Sequence, residues 1–179
     1  RILKPQTITI QNDGTNGNPA IVQVNGPCQP MNFLNGVAEN DDFITDYTCD
    51  VTIDYILKPN SHLLEVQTTV VWNDTPFPIT PGSFILFSAD VAETWNPTSG
   101  LDGTGDGTWV GVIGKNNEIA LGIFSNDTPF ATNAIQAIAN ELGPVLSGFD
   151  QMIEIPTNTT HQFTHYIGVG KDFATLTDE

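Results

Sequence analysis

The amino-acid sequence predicts an all-β fold, namely a two-sheet antiparallel β-sandwich that also contains one short helix. Several short segments alternate polar and apolar residues with period two, which directs neighbouring side chains to opposite faces of a strand. β-branched residues crowd residues 50–72, and their stiff side chains favour pleated strands over helices. The length of 179 residues is sufficient for one core, and we expect a single domain over 1–179, taken from a larger chain.

The predicted strands follow one another as alternating or apolar runs separated by turn residues. Gly, Pro, Asn and Asp dominate the intervening segments, as in 12–19 and 58–61, and these residues favour tight turns. The first two runs therefore form a hairpin, and the third and fourth form an antiparallel pair. The strands are predicted at residues 6–11, 20–25, 51–57, 63–72, 83–87, 109–113, 118–124, 151–155 and 161–169.

Three segments depart from the strand pattern. Residues 133–142 carry apolar side chains at a spacing near 3.6, and Gly143-Pro144 would end such a helix. Residues 31–47 mix acidic and isolated apolar residues, which indicates an irregular connection. Residues 170–179 become polar and acidic, as is typical of a linker to a following domain.

The charge balance limits the partners of the chain. Twenty-one acidic residues against five Lys and Arg give a formal net charge of −16, with a pI near 4.1. A surface of that sign repels phosphate backbones and anionic headgroups, so we expect no nucleic-acid partner. The chain lacks an apolar run of about 18 residues, so we expect no membrane insertion. Acidity also keeps an exported protein soluble without any further role.

Cys28 and Cys49 form an even pair in a spacing that does not suit a metal site. An oxidising compartment would join them in a disulfide, whereas a reducing one would leave two unpaired thiols. We expect the disulfide, together with an extracytoplasmic location, which is secreted, periplasmic or on the cell surface.

Residues 51–73 resemble the central strands of galactose-mutarotase-like supersandwich domains of large exported proteins. In that family a Y-x-L-x-P strand leads into a T-x-V-x-N strand. The corresponding residues here are Tyr55, Leu57 and Pro59, followed by Thr69, Val71 and Asn73. Residues 165–172 are similar to the last strand of such modules. The resemblance implies a two-sheet sandwich whose members range from sugar-processing enzymes to accessory domains, so it does not decide the function.

A loop rich in Gly, Asp and Thr offers a candidate calcium site. Asp102, Thr104, Asp106 and Thr108 place oxygen-bearing side chains at every second position, with glycines between them. Calcium takes six to eight oxygen ligands, and this spacing could supply several of them. Asp-Gly repeats also form ordinary turns, so a plain loop is the alternative.

The candidates for catalysis are not joined by a local motif. A mutarotase-type reaction needs a histidine acid and a carboxylate base, which His161 or His165 with Glu154 or Glu93 could provide. His161 and His165 point to the same face of a strand, but a zinc site would need a third ligand. The Gly-x-Ser-x-Gly elbow of serine hydrolases is absent. We therefore do not expect an enzyme.

Trp95 and Trp109 flank the Asp-Gly loop and could stack on the apolar faces of sugar rings, although tryptophans also fill sandwich cores. The sequence thus predicts a non-catalytic module of a multidomain secreted or surface protein, acting as a spacer, in adhesion or in ligand presentation. Calcium could stabilise it, and carbohydrate or neighbouring domains are its expected partners. A carbohydrate-binding or carbohydrate-active domain of the mutarotase-like type is the alternative.

Overall fold

The computed structural model describes residues 2–3, 5–29, 49–73, 77–86, 91–96, 100–101, 108–114, 119–125, 130, 132–137 and 144–176. These residues form many strands and a single short α-helix. The strands are β1 Ile2–Leu3, β2 Thr7–Asp13, β3 Ala20–Gln29, β4 Cys49–Leu57, β5 Leu63–Trp72, β6 Phe77–Ile79, β7 Gly82–Leu86, β8 Val91–Asn96, β9 Gly100–Leu101, β10 Trp109–Gly114, β11 Ala120–Ser125, β12 Thr132–Ala137, β13 Pro144–Phe149, β14 Ile153–Ile155 and β15 Thr159–Gly170, and the helix is α1 Phe173–Leu176.

The described strands form three antiparallel sheets. The large sheet has ten strands in the order β1-β3-β4-β5-β15-β11-β10-β8-β9, with β2 also paired to β3. A second sheet has the order β12-β13-β7, and a third joins β14 to β6. The prediction of an all-β antiparallel sandwich is confirmed.

One face of the large sheet packs on the two small sheets, and we call it the inner face. Val51, Val70 and Trp72 of the large sheet pack with Ile155 of β14 and Ile79 of β6. Each fully buried apolar side chain of this kind contributes about 1.5–3 kcal/mol of hydrophobic stabilisation. The inner face therefore holds most of the described core.

A second part of the core lies between β10, β11 and the three-stranded sheet. It consists of Val110, Val112, Ile123, Phe130 and Leu146, with Ile85 and Leu121 packed against it. Alternation along β10 sends Val110 and Val112 inward, because successive side chains of a strand point to opposite faces. The opposite face of the large sheet is called the outer face.

The predicted helix over 133–142 is wrong for its first part, because residues 132–137 form β12. Every residue of β12 is in register with β13, from Thr132 opposite Phe149 to Ala137 opposite Pro144. Pairing along the whole strand satisfies the backbone groups that face β13, and such tertiary context overrides local apolar spacing. Residues 138–142 lie outside the described residues, as does the predicted connection 31–47.

The short helix lies in the tail instead. Leu176 of α1 is 1% exposed and packs with Ile113 and Ala120 on the outer face. The linker-like prediction is therefore wrong for α1, since this segment folds onto the sheet. In the part of the chain that the structure describes, there is no helix of the length and apolarity that a membrane span requires.

Candidate functional site

Strand alternation places a set of polar side chains on the outer face. Asp54 of β4 is in register with Gln23 of β3 on one side and with Gln67 of β5 on the other. Residues that are directly opposite in an antiparallel sheet point to the same face, so their side chains can contact each other. Hydrophobic neighbours at alternate positions, such as Val66, are buried on the inner face. The inward burial of these neighbours fixes the outward direction of the polar residues.

Two sets of hydrogen bonds, placed side by side by the register of Asp54 with Gln67, form what we call the polar row, which consists of Gln11, Gln23, Asp54, Gln67 and Gln162. The Gln11 amide donates to Gln23 over 3.1 Å, and the Gln23 amide donates to Asp54 over 2.9 Å. On the other side, the Gln162 amide lies 3.4 Å from Gln67 Oε1. The polar row therefore crosses strands β2 to β5 and β15.

Glu65 adds a shielded carboxylate beside the polar row. Its Oε2 lies 2.9 Å from Lys58 Nζ, and its Oε1 accepts a hydrogen bond of 2.6 Å from the Gln67 amide. Burial acts to raise the pKa of Glu65, but the hydrogen bonds from Lys58 and Gln67 and the charge of Lys58 hold that pKa below its ordinary value. Glu65 thus stays ionised and fixes one end of Gln67.

Aromatic residues of the outer face form what we call the aromatic strip, made of Trp109, Phe124 and Tyr166. The rings of Trp109 and Phe124 stack with centroids 5.6 Å apart and planes inclined by 17°. Phe124 lies opposite Tyr166 in the register, and Tyr166 lies opposite Glu65. The aromatic strip is therefore adjacent to the polar row on the same face.

Two glycines make room for the aromatic strip. A Cβ atom at Gly122 would lie 2.9 Å from the ring of Phe124, and one at Gly168 would lie 2.8 Å from it. Contacts that short are not tolerated, so only glycine lets the Phe124 ring lie close to the backbone. The half-buried Trp109 ring stacks against Phe124 in turn.

A separate polar cluster lies inside the sandwich, where His165 joins three strands or strand ends. His165 Nδ1 lies 3.0 Å from Ser83 Oγ of β7, and Nε2 lies 3.0 Å from Asp150 Oδ2, just after β13. In the tautomer that carries its hydrogen on Nε2, the ring donates to Asp150 Oδ2 and Nδ1 accepts from the Ser83 hydroxyl. The ring is 1% exposed, between Phe130 and Phe163.

The candidate catalytic pairs are not brought together among the described side chains. Both nitrogens of His165 are engaged by Ser83 and Asp150, while Glu154 is exposed on β14. His161 is half-buried four residues before His165. The side chain of Glu93 lies outside the described residues.

The predicted calcium loop lies largely outside the described residues. Asp102, Thr104 and Asp106 are not described, whereas Thr108 is exposed and its carbonyl accepts a hydrogen bond of 2.8 Å from the Ser125 amide. Across the described ranges, His, Cys, Asp and Glu side chains do not form a group of three that could hold a metal ion. The calcium site stays a prediction.

The two predicted sugar-binding tryptophans lie on neighbouring strands. Trp109 belongs to the aromatic strip, and the backbone of Trp95 in β8 pairs with Gly111 of β10. The side chain of Trp95 is outside the described residues. Trp109 is half-buried and stacks on Phe124.

Cys49 is the first residue of β4; it is buried and disulfide-bonded. Pro27 of β3 is in register with Asp50, so the next position along that ladder places Cys28 opposite Cys49. Cys28 is the other cysteine of the sequence. The pairing of these two residues is the arrangement that the register favours.

The sequence interpretation missed the polar row. Apart from Asp54, its members are glutamines, whose side chains carry no charge. They also come from distant parts of the chain. The available signal was the alternation in residues 20–25, 51–57 and 63–72, which puts polar residues on one face. The cross-strand register that lines them up is not visible in composition or spacing.

Comparisons with known proteins agree with this architecture. The chain is similar to the Slr1438 protein from Synechocystis sp. PCC 6803, with a TM-score of 0.55 and 11% identity over 92% of this chain and 66% of that one. It is also similar to a galactose mutarotase-like protein from Lactobacillus casei ATCC 334, with a TM-score of 0.53 and 9% identity over 92% and 72% of the two chains.

A third similar structure is the galactosidase domain of alpha-galactosidase-sucrose kinase, AgaSK, with a TM-score of 0.54 and 8% identity over 96% of this chain and 27% of that one. The chain spans slightly under two thirds of the Slr1438 protein. No protein-family model matches the sequence, and no curated protein matches it. At these identities the comparisons establish the fold, which is that of galactose mutarotase-like proteins.

Proposed function

We propose that this chain is a non-catalytic β-sandwich module of a larger secreted or surface protein, and that it binds carbohydrate on its outer face. The observation that carries the proposal is the adjacency of the aromatic strip and the polar row on one face of one sheet. Aromatic faces stack on the apolar face of a pyranose, whereas amides and carboxylates bind its hydroxyl groups. Mutarotase-like neighbours lend support to a ligand of this class.

The electrostatics of the outer face favour a neutral saccharide over an acidic one. Asp54 and Glu65 contribute carboxylates, and Lys58 already pairs with Glu65. The formal net charge of −16 adds a repulsive field for anionic polymers. The negative charge of the protein does not repel a neutral polysaccharide, but it repels chains that carry uronic acids or sulfate groups.

An enzyme of the mutarotase type is the weaker alternative. It would need a histidine and a carboxylate flanking one exposed ligand position. His165 is enclosed, and both of its ring nitrogens contact protein groups. The proposal therefore assigns binding, not chemistry, to this chain.

The test is calorimetric titration of neutral glycans, such as xylan and β-glucan fragments, against wild type and two variants. Gln162→Ala removes an exposed amide of the polar row, and Trp109→Ala removes part of the aromatic strip. We expect Gln162→Ala to weaken binding about fivefold or more, because one hydrogen bond contributes about 1 kcal/mol. Trp109→Ala should weaken binding further.

Gln151→Ala is the matched control, since Gln151 is also exposed but lies between β13 and β14, off the large sheet. It should bind as wild type does. Thermal melts check that each variant is folded. Absence of binding to all neutral glycans by the wild type, or equal loss in the Gln151→Ala variant, would contradict the proposal.

The calcium site is proposed as a stabilising accessory to the same module. A ligand that binds only the folded state raises the melting temperature by mass action. We expect calcium in place of chelator to raise the melting temperature of wild type and not that of Asp106→Ala. An equal response of both proteins would mean that the Asp-Gly loop is an ordinary turn that does not bind calcium.

A further inference from the structure

We propose that two copies of this chain associate through the outer edge of β2, so that their large sheets join into one continuous antiparallel sheet. This association goes beyond the proposed sugar binding, because it uses the backbone edge of β2 and not the outer-face side chains of the polar row. Strand β2 is exposed, uncharged over residues 7–12 and complementary to a second copy of itself.

Strand β2 is an edge of the large sheet. Within the described residues it pairs with β3 alone, from Thr7 opposite Asn25 to Asp13 opposite Ala20. Every second residue of an edge strand directs its N–H and C=O away from its neighbour, which provides a template for another strand. Pro5 precedes this template and the bulge after Ile10 follows it, so residues 6–10 are the available window.

The window exposes two large apolar side chains. Ile8 is 70% exposed and Ile10 is 69% exposed. Ile8 is in register with Val24, and Val24 with Ile53, whose side chain packs against the inner core. Both isoleucines therefore continue the apolar inner face past the part that the small sheets cover.

Natural sheet edges usually carry charged residues that prevent pairing with another chain. Residues 7–12 read Thr-Ile-Thr-Ile-Gln-Asn and contain no charge. This stretch is conspicuous in a chain with 26 charged residues among 179, counted as 21 acidic and 5 basic. Residues 7–12 of this edge therefore lack the charged side chains that would prevent pairing with another chain.

A second copy is the occupant that this edge fits best. In an antiparallel pair about a two-fold axis at Thr9, Ile8 of one copy faces Ile10 of the other, and Thr9 faces Thr9. Such pairing keeps the isoleucines together on the inner face and the threonines together on the outer face. Cross-strand pairs of β-branched residues and of threonines are favourable, so the edge is complementary to itself.

Charge sets the condition for this association. Two chains that each carry −16 repel one another, and salt screens that repulsion. The Debye length falls from about 10 Å at 0.1 M salt to about 3 Å at 1 M. The dimer should therefore strengthen as sodium chloride is raised.

Sedimentation equilibrium over a protein concentration series, at low and high sodium chloride, tests the proposal. We expect a monomer–dimer equilibrium whose dissociation constant falls with salt. Thr9→Lys should weaken the dimer about tenfold or more, because it places two cations opposite each other on the axis. Thr157→Lys alters the charge equally at an exposed turn residue and should leave the dimer unchanged.

Hydrogen exchange identifies the interface. Amides of residues 7–10 should gain protection at high protein concentration in wild type and not in Thr9→Lys. A monomer throughout both salt series overturns the proposal. So does a dimer that is as strong in Thr9→Lys as in Thr157→Lys, or one whose added protection lies away from β2.

Discussion

His165 shows how one residue connects three parts of the sandwich. Its ring nitrogens contact Ser83 and Asp150, and its ring lies between Phe130 and Phe163. A buried polar group that loses its partners costs more free energy than the hydrogen bond itself contributed. We therefore expect His165→Phe, which keeps an aromatic ring but loses both bonds, to lower the free energy of unfolding by about 2 kcal/mol or more. Urea denaturation measures this change.

His161→Phe provides the matched control for that variant. His161 lies on the same strand, and four residues along a strand return to the same face. It is half-buried, and it makes neither of the His165 contacts. The His161→Phe substitution should lower the free energy of unfolding much less than His165→Phe does. Equal losses at both positions would show that aromatic size, and not hydrogen bonding, determines the effect.

Gly148 carries a steric prediction at the same scale. A Cβ atom at this position would lie 2.6 Å from the ring of Phe130, which is 1% exposed. Gly148→Ala should lower the free energy of unfolding by about 1–3 kcal/mol, because overpacking displaces a buried ring. Gly114→Ala is the control, since its nearest neighbour is 3.7 Å away. Thermal melts of both variants should separate them, and a melt of Gly148→Ala like that of Gly114→Ala would argue against steric crowding.

At the scale of the element, sequence reasoning worked where burial is one-sided. β4 and β5 were predictable because alternation and β-branching agree over 51–57 and 63–72, and the structure has strands there. β12 was not predictable, because the spacing of its apolar residues is compatible with either a strand or the first turns of a helix. The residues that decide between these structures lie in β13, which supplies its register partners. Pairing between separate segments is not visible in either segment alone.

The Lys58–Glu65–Gln67 group gives β5 a pH-dependent contribution to stability. The folded-state pKa of Glu65 is lowered below the ordinary value of 4.5, so the unfolded chain takes up the proton first as the pH falls. The stabilising contribution is therefore present above about pH 4.5 and is lost as the pH falls through the folded pKa. Glu65→Gln should be less stable than wild type at pH 7, and the difference should shrink in acid.

Urea denaturation of both proteins at neutral and acidic pH measures that difference. Glu154→Gln is the control because Glu154 is exposed on β14. It should follow wild type at both pH values. A Glu65→Gln difference that stayed constant with pH would mean that side-chain packing, and not ionisation, stabilises this position.

For the whole molecule, the sequence allowed the sandwich class to be predicted but not the outer face as a candidate site. Trp109 was identified because tryptophan can stack on sugar rings, whereas nothing in the sequence distinguished Gln67 and Gln162 from other glutamines. Their proximity depends on β15 returning between β5 and β11, about a hundred residues after β5. Long-range strand order of this kind is determined by the packing of the complete chain.

The same long-range order leads to a prediction about the two cysteines. Because Pro27 pairs with Asp50, one further step along the same register would bring Cys28 opposite Cys49, and Cys49 is disulfide-bonded. A bond between them closes the 29–48 connection and restricts the unfolded chain. For a loop of this length the stabilisation is about 3 kcal/mol. Mass spectrometry of the unreduced protein should therefore find the Cys28–Cys49 peptide pair.

Reductant should lower the melting temperature of wild type and leave the Cys28→Ala, Cys49→Ala double variant unchanged. Two alkylatable thiols in the unreduced protein would contradict the pairing. The bond also bears on location, because cytosolic reductants keep protein thiols reduced whereas exported proteins retain their disulfides. A disulfide recovered intact from the native source would thus support an extracytoplasmic module. The same bond would link β3, which pairs with β1, covalently to β4.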